Sequence, residues 1–180
     1  MSRILVVAAT AREAAYVPES LPLVVTGLGK TAAATATARA LAEAGSADLS
    51  VVNVGTAGAL RDGVAGLHEV GTVLNHDMNA DAIRALGYDP MERIVVGPGE
   101  TVLASGDVFV ADPAVRAQLA ERAHLVDMEG YAVAYACRAF GVGIRLVKHV
   151  SDNADGDAVD WSAQVEASAR VLGRWLQDNL

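Results

Sequence analysis

Cysteine is almost missing from this 180-residue chain: Cys137 stands alone, so no internal disulfide can form, and there is no second cysteine for a zinc site. Lysine is nearly as scarce. Lys30 and Lys148 are the only two, the formal net charge is −8, and no basic stripe exists to neutralise a phosphate backbone, which argues against nucleic acid as a partner. No apolar run is long enough to span a bilayer, and no amino-terminal stretch joins a basic start, an apolar segment and a cleavage site. No membrane association is expected, and the expected compartment is the cytoplasm. The four histidines, His68, His76, His124 and His149, show no ligand-like spacing, so no metal or other cofactor is expected.

What the chain has in abundance is apolar residues, 52% against 20% charged, far from the composition of a disordered regulator and enough to bury a continuous core. One domain over 1–180 is expected. β-rich runs recur at 4–7, 23–25, 49–54, 72–74, 93–96, 102–103 with 108–110, and 144–150. Several are continuously apolar, as in a sheet buried on both faces. Between them lie helical stretches at 30–44, stopped by Gly45, at 112–122, with Pro113 favoured just inside its start, and at 129–140, stopped by Gly141. A last helix should carry Trp161, Val165, Ser168, Leu172 and Trp175 on one face, with Asp160 as N-cap. Strands and helices thus alternate, which predicts an α/β fold of three layers, α/β/α, with a central mixed sheet. In such sheets ligands bind beyond the carboxyl ends of the strands.

Several segments combine a strand end with chemically useful residues, and each has a plainer explanation. VVTGLGKT at 24–31 ends like a phosphate loop, but Val24 stands where that motif needs its first glycine, so a tight strand-to-helix turn is favoured. VVNVGTAGAL at 51–60 runs a buried strand into Gly55 and Gly58, which let the backbone approach a ligand or a packed helix. SGDVFV at 105–110 contains Phe109, whose ring can pack in a core or hold a flat heterocycle. VDMEGY at 126–131 brings Asp127 and Glu129 to a helix start, where carboxylates also serve as dipole partners. The stripe Val133, Cys137 and Phe140 marks Cys137 as core. LVKHVSDNAD at 146–155 ends its strand in Ser151 and Asp152, an acid at the sheet edge or a turn cap.

Taken in order, Glu13 after the first strand, TGLGKTAAA at 26–34, NVGTAGAL at 53–60, LHEVGTVL at 67–74, SGDVFV, VDMEG and SDNAD resemble the purine nucleoside phosphorylase and nucleosidase family, most closely its 5′-methylthioadenosine/S-adenosylhomocysteine nucleosidases. The resemblance implies a nucleoside phosphorylase-like fold and an enzyme of nucleoside catabolism and purine salvage that cleaves the bond between a purine and its ribose, working as a homodimer. It implies Asp152, Glu13 and Glu129 as catalytic residues. Asp152 would protonate the purine N7 with Ser151 orienting it, Glu129 would bind the sugar hydroxyls, and Glu13 would activate the attacking water. Thr56, Phe109, Val110, Asp127, Met128, Ser151 and Trp161 are the implied substrate-binding residues, Phe109 stacking on the base, Val110 reading its edge and Met128 lining the ribose. Asp152 is expected to be more shielded than Glu13 once substrate is bound.

The segment at 10–14 lacks the clustered glutamates usual in that family, and the chain is shorter than most members at 75–93. Thr10 and Trp161 stand where methylthio-specific members tend to have other apolar residues, which leaves the 5′ substituent open. Asn53 stands where phosphorylases usually carry an arginine, which favours water over phosphate as the attacking group. A phosphorylase, a futalosine-type hydrolase and a nucleoside-binding module without turnover are the alternatives.

Overall fold

The computed structural model describes residues 3–154 and 161–180, and the side chains of all of these except 161–163. The chain runs β1 (Arg3–Ala8), β2 (Leu23–Val25), α1 (Lys30–Ala44), β3 (Leu49–Ala59), β4 (Leu67–Asn75), α2 (Ala80–Ala85), β5 (Arg93–Val95), β6 (Thr101–Ser105), α3 (Pro113–Ala120), β7 (Leu125–Asp127), α4 (Gly130–Ala139), β8 (Gly143–Asp152) and α5 (Trp161–Asn179). Strand and helix alternate through most of it, and the product is the α/β fold with a mixed sheet that the sequence pattern predicts.

The layering follows from strand alternation, since successive side chains point to opposite faces. Leu5, Val7, Leu49 and Val51 meet Ala33 and Leu41 of α1 and Val133 and Cys137 of α4 on one face. Val6, Ala8, Val52 and Val54 meet Leu172 and Leu176 of α5 on the other. The apolar runs Leu5–Ala8 of β1 and, Asn53 apart, Val51–Val54 of β3 follow from this, because neither face sees water there.

β1 pairs in parallel with β2 and β3, and β3 in parallel with β8. β4 and β6, and β6 and β7, are also parallel pairs, but β7 meets β3 and β4 meets β8 in antiparallel fashion. These pairings run in a closed circuit, β3 to β8 to β4 to β6 to β7 and back to β3, so the middle of the sheet curls onto itself. The register shift at Ala57 and Gly58 marks the bend. Carboxyl ends of strands running in opposite senses consequently meet: Gly58 pairs with Val126 of β7 on one side and with Asp152 of β8 on the other.

Four details depart from the sequence reading. Residues 108–110 are a loop, because β6 ends at Ser105 level with the last residues of its neighbours, Asn75 of β4 and Asp127 of β7, leaving no strand beyond to pair with. β7, only three residues long, and α2, which Asn79 caps by accepting from Ala82 N–H, escape a reading based on periodicity. β3 and β4 run well past their apolar segments because β8 pairs with both. Phe140 caps α4 and is partly exposed, while Val133 and Cys137 are core as expected; burial pushes the Cys137 thiol up to about 12. The helix limits at 30–44, Asp112 capping and Pro113 opening α3, and the buried face of α5 through Val165, Ser168 and Leu172 agree with the sequence reading. The N-cap assigned to Asp160 lies outside the described residues.

Candidate active site

One cleft opens where the opposed strand ends meet. Of the ten residues nominated from sequence, nine line it: Glu13 from the turn after β1, Thr56 from β3, Phe109 and Val110 from the loop after β6, Asp127, Met128 and Glu129 from the β7–α4 junction, and Ser151 and Asp152 from the end of β8. The tenth, Trp161, opens α5, but its side chain lies outside the described residues.

Two glycines make room for the carboxylates. A Cβ at Gly55 would come within 3.2 Å of both Glu13 Oε1 and Lys148 Nζ, and one at Gly58 within 3.0 Å of Asp152 Oδ1 and 2.9 Å of Ala154 Cβ. The glycines of NVGTAGAL thus give side chains room to approach the strand, and Gly58 also lines the cleft.

The junction VDMEGY divides its two acids between two tasks. Asp127 caps α4, accepting from Gly130 N–H at 2.9 Å, takes the Ser105 hydroxyl on its other oxygen, and pairs with Lys148 Nζ at 2.9 Å. Ser105 in turn accepts from Tyr131 N–H. Glu129 occupies the N-cap position yet makes no capping bond; its Oε1 reaches across the cleft to accept from Gly29 N–H at 2.8 Å. The dipole-partner explanation therefore fits Asp127 and fails for Glu129. Burial, and then the charge of Asp127, push the Glu129 carboxyl up to about 7 against the pull of that N–H.

Lys148 was not among the nominated residues, although it is the one cation behind these acids among the described residues. Its side chain is 2% exposed, and burial draws its pKa down, but Asp127, Glu129 and Glu13 outweigh that and raise it. An ammonium buried at this depth is tenable only with such partners. The available signal was a lysine directly after the apolar pair Leu146 and Val147 in β8.

Glu13 is buried, and both of its oxygens accept hydrogen bonds. Oε2 accepts from the Thr10 N–H at 3.2 Å and the Thr10 hydroxyl at 3.0 Å, and Oε1 from the Thr56 N–H at 2.8 Å and hydroxyl at 2.9 Å. Asp152 is the less buried of the two. Its Oδ2 accepts from the Ser151 hydroxyl at 2.7 Å and its Oδ1 from Ala154 N–H at 2.8 Å, so it is both a turn cap and a cleft wall. Phe109 is 52% exposed and lies at the cleft rather than in the core, while its neighbour Val110 is buried and also lines the cleft. Ala9, Leu28 and Val108 also line the cleft and were not nominated.

The loop bearing Phe109 is tied down from outside. Asp107 Oδ1 accepts from Lys30 N–H at 2.7 Å, Asp107 N–H donates to Asp77 Oδ2 at 2.8 Å, and Lys30 Nζ bridges Asp77 and Asn75. Lys30 of the TGLGKT segment thus joins side chains, as a strand-to-helix turn would use it. Asn53 Nδ2 donates to the Val7 carbonyl at 3.0 Å inside the sheet.

The sequence profile of the phosphorylase superfamily matches residues 80–175. An aminodeoxyfutalosine nucleosidase of Helicobacter pylori is 38% identical over 101 residues, 54% of this chain and 44% of that protein, so the matched stretch spans less than half of that relative's length. A 5′-methylthioadenosine/S-adenosylhomocysteine nucleosidase of Shewanella oneidensis is 29% identical over 77% of this chain and 70% of its own. Among solved structures, a futalosine hydrolase mutant of Helicobacter pylori superposes with a TM-score of 0.85 at 23% identity, covering all of both chains. The 5′-methylthioadenosine/S-adenosylhomocysteine nucleosidase of Neisseria meningitidis in complex with methylthio-immucillin-A gives 0.82 at 22% identity, covering 97% of this chain and 96% of that one.

Proposed function

This chain belongs to the phosphorylase superfamily, and on that premise we propose that it is a purine nucleosidase, a single domain over 1–180 that hydrolyses the N-glycosidic bond of an adenosine-type nucleoside to free base and ribose derivative. The observation that carries the reading is the convergence of Glu13, Glu129 and Asp152 on one cleft, each from a different element and in a different hydrogen-bonding environment. Asp152 protonates N7 of the base as the bond from N9 to C1′ breaks, and its Ser151 partner keeps the carboxyl oriented. The electron pair of that bond leaves with the base, and the ribose gains oxocarbenium character. Glu129 holds the sugar hydroxyls, a contact that strengthens as positive charge develops. Glu13 takes a proton from water as the water oxygen bonds to C1′. Phe109 stacks on the base, the Val110 backbone meets its edge, Met128 packs on the ribose, and Thr56 and Asp127 support Glu13 and Lys148.

Water is favoured over phosphate on electrostatic grounds. A phosphate dianion would face Glu13, Asp127 and Glu129, while Lys148 is already committed to Asp127 and Asn53 to the sheet. The names of the relatives make methylthioadenosine, adenosylhomocysteine and futalosine-like nucleosides the substrates to try first. We take the enzyme to work in the cytoplasm, in purine salvage, as a homodimer; among the described residues no helix is long and apolar enough to cross a membrane. Purified protein given a panel of such nucleosides should release base equally with and without phosphate. Strict phosphate dependence would make it a phosphorylase, and tight binding without base release would make it a nucleoside-binding module.

A further inference from the structure

Glu13 takes four donors, more than Glu129 or Asp152 does among the described residues, and two of them come from Thr10. Thr10 and Glu13 have the T-x-x-E spacing of a capping pair, and the pairing is reciprocal: the Thr10 hydroxyl donates to Oε2 and accepts from Glu13 N–H at 3.2 Å. A pair serving only to start a helix would leave the second oxygen to water, and residues 10–17 form no regular helix. Here Oε1 reaches instead to the middle of β3, where Thr56 N–H and hydroxyl receive it and the bare backbone of Gly55 lets it sit close. A free glutamate side chain would lose up to about 2 kcal/mol of rotamer freedom on being fixed. The Thr10 hydroxyl, bonded at once to the main chain and to the carboxylate of one residue, meets that cost before any ligand arrives.

We infer that Thr10 is a positioning residue for the general base, holding the Glu13 carboxylate in the one orientation from which it can take a proton from water. The inference rests on the proposed hydrolysis and adds to it a residue outside the cleft lining that acts through Glu13. Its hydroxyl, and not its bulk, is the working part.

The test compares full-length Thr10→Ser, Thr10→Val, Glu13→Gln and the Thr10→Val, Glu13→Gln double variant, with kcat, KM and thermal midpoint measured for each. Thr10→Val should lower kcat about 10- to 100-fold, since a small misplacement of a reacting group has effects of that size. KM should stay within about twofold, because the lost contact is not one to substrate. Thr10→Ser should retain most of kcat, and Thr10→Val should cost nothing further once Glu13 is Gln. Should Thr10→Val fail to fold, Thr10→Ala is read in its place. Full kcat in the valine variant, equal losses in serine and valine, or an added loss in the double variant would overturn the inference. A parent protein that releases no base from any nucleoside would remove the hydrolase reading and this inference together, whereas an active parent with an unaffected valine variant removes the inference alone.

Discussion

Asp152 and Glu129 can be separated by what each does with its proton. In Asp152→Asn the amide oxygen can still accept from Ala154 N–H, so the turn should survive, but no acidic proton is left to give to the base. General acid catalysis contributes about 10²- to 10⁴-fold, so kcat should fall by at least about 100-fold while the thermal midpoint is retained; an unchanged kcat would remove Asp152 from the mechanism. Glu129 is pushed up to about 7 from the ordinary 4.5, by burial first and by Asp127 second. Its folded pKa lies above its unfolded one, so the native chain binds a proton that the unfolded chain releases. The stabilisation is complete below about 4.5 and is lost as pH rises through about 7, an effect on the order of 3 kcal/mol. Glu129→Gln removes that ionisation, so its thermal midpoint should gain on the parent's between pH 5 and pH 8. A gap that does not change with pH would mean that Glu129 ionises freely. The Lys148 beneath them shows why residue type alone misled: two lysines in the chain meant few cations, yet one of them is the buried partner of the acids, visible only once β7 and β8 both flank β3.

Elements with chemical punctuation were legible, and those defined by a partner were not. Gly45 ends α1, Asp112 and Pro113 begin α3, and the apolar period of α5 exposes its buried face, all within a few residues of sequence. Pairing of Leu67 with His149, which closes the sheet on itself, depends on segments far apart in the chain and has no local mark. The segment 105–110 shows the consequence for the site: its apolar residues suited a strand, but with no neighbour to pair with they form the loop that brings Phe109 to the cleft. Such a loop is only as well placed as its fastenings, and here they are Asp107, Asp77 and Lys30. Burial works against ionisation of Asp77, but its bonds to Lys30 and Asp107 prevail and lower its pKa, so Asp77 stays charged at neutral pH. Asp107→Ala removes the carboxylate that accepts from Lys30 N–H, leaves the backbone bond of residue 107 to Asp77 in place, and does not touch the three proposed catalytic acids. KM should rise about fivefold, the equivalent of roughly 1 kcal/mol for one net hydrogen bond, with kcat little changed. A fall in kcat at constant KM would show that the loop serves the chemical step instead.

At the scale of the molecule, polar and apolar surfaces are unevenly shared out. Leu28 is 61% exposed and Val108 56%, both line the cleft beside Phe109, and Leu23 and Val25 of the edge strand β2 are exposed in the same stretch of chain as Leu28. An exposed sheet edge next to apolar side chains is a surface that proteins commonly cover. A second copy of this chain would do so while closing the mouth of the cleft over the 5′ side of a nucleoside, which is why the proposed homodimer and the proposed activity belong together. The net charge of −8 opposes the approach of two copies, but at physiological ionic strength charges more than about 8 Å apart are largely screened. Sedimentation should therefore give a dimer at 0.15 M salt that loosens at low salt. Leu28→Glu should shift it to monomer and raise KM at the same time, because burying an unpaired carboxylate at the interface is costly and the cleft mouth is left open. A monomeric parent with full activity would separate the two, and would assign Leu28 and Val108 to contact with the nucleoside alone.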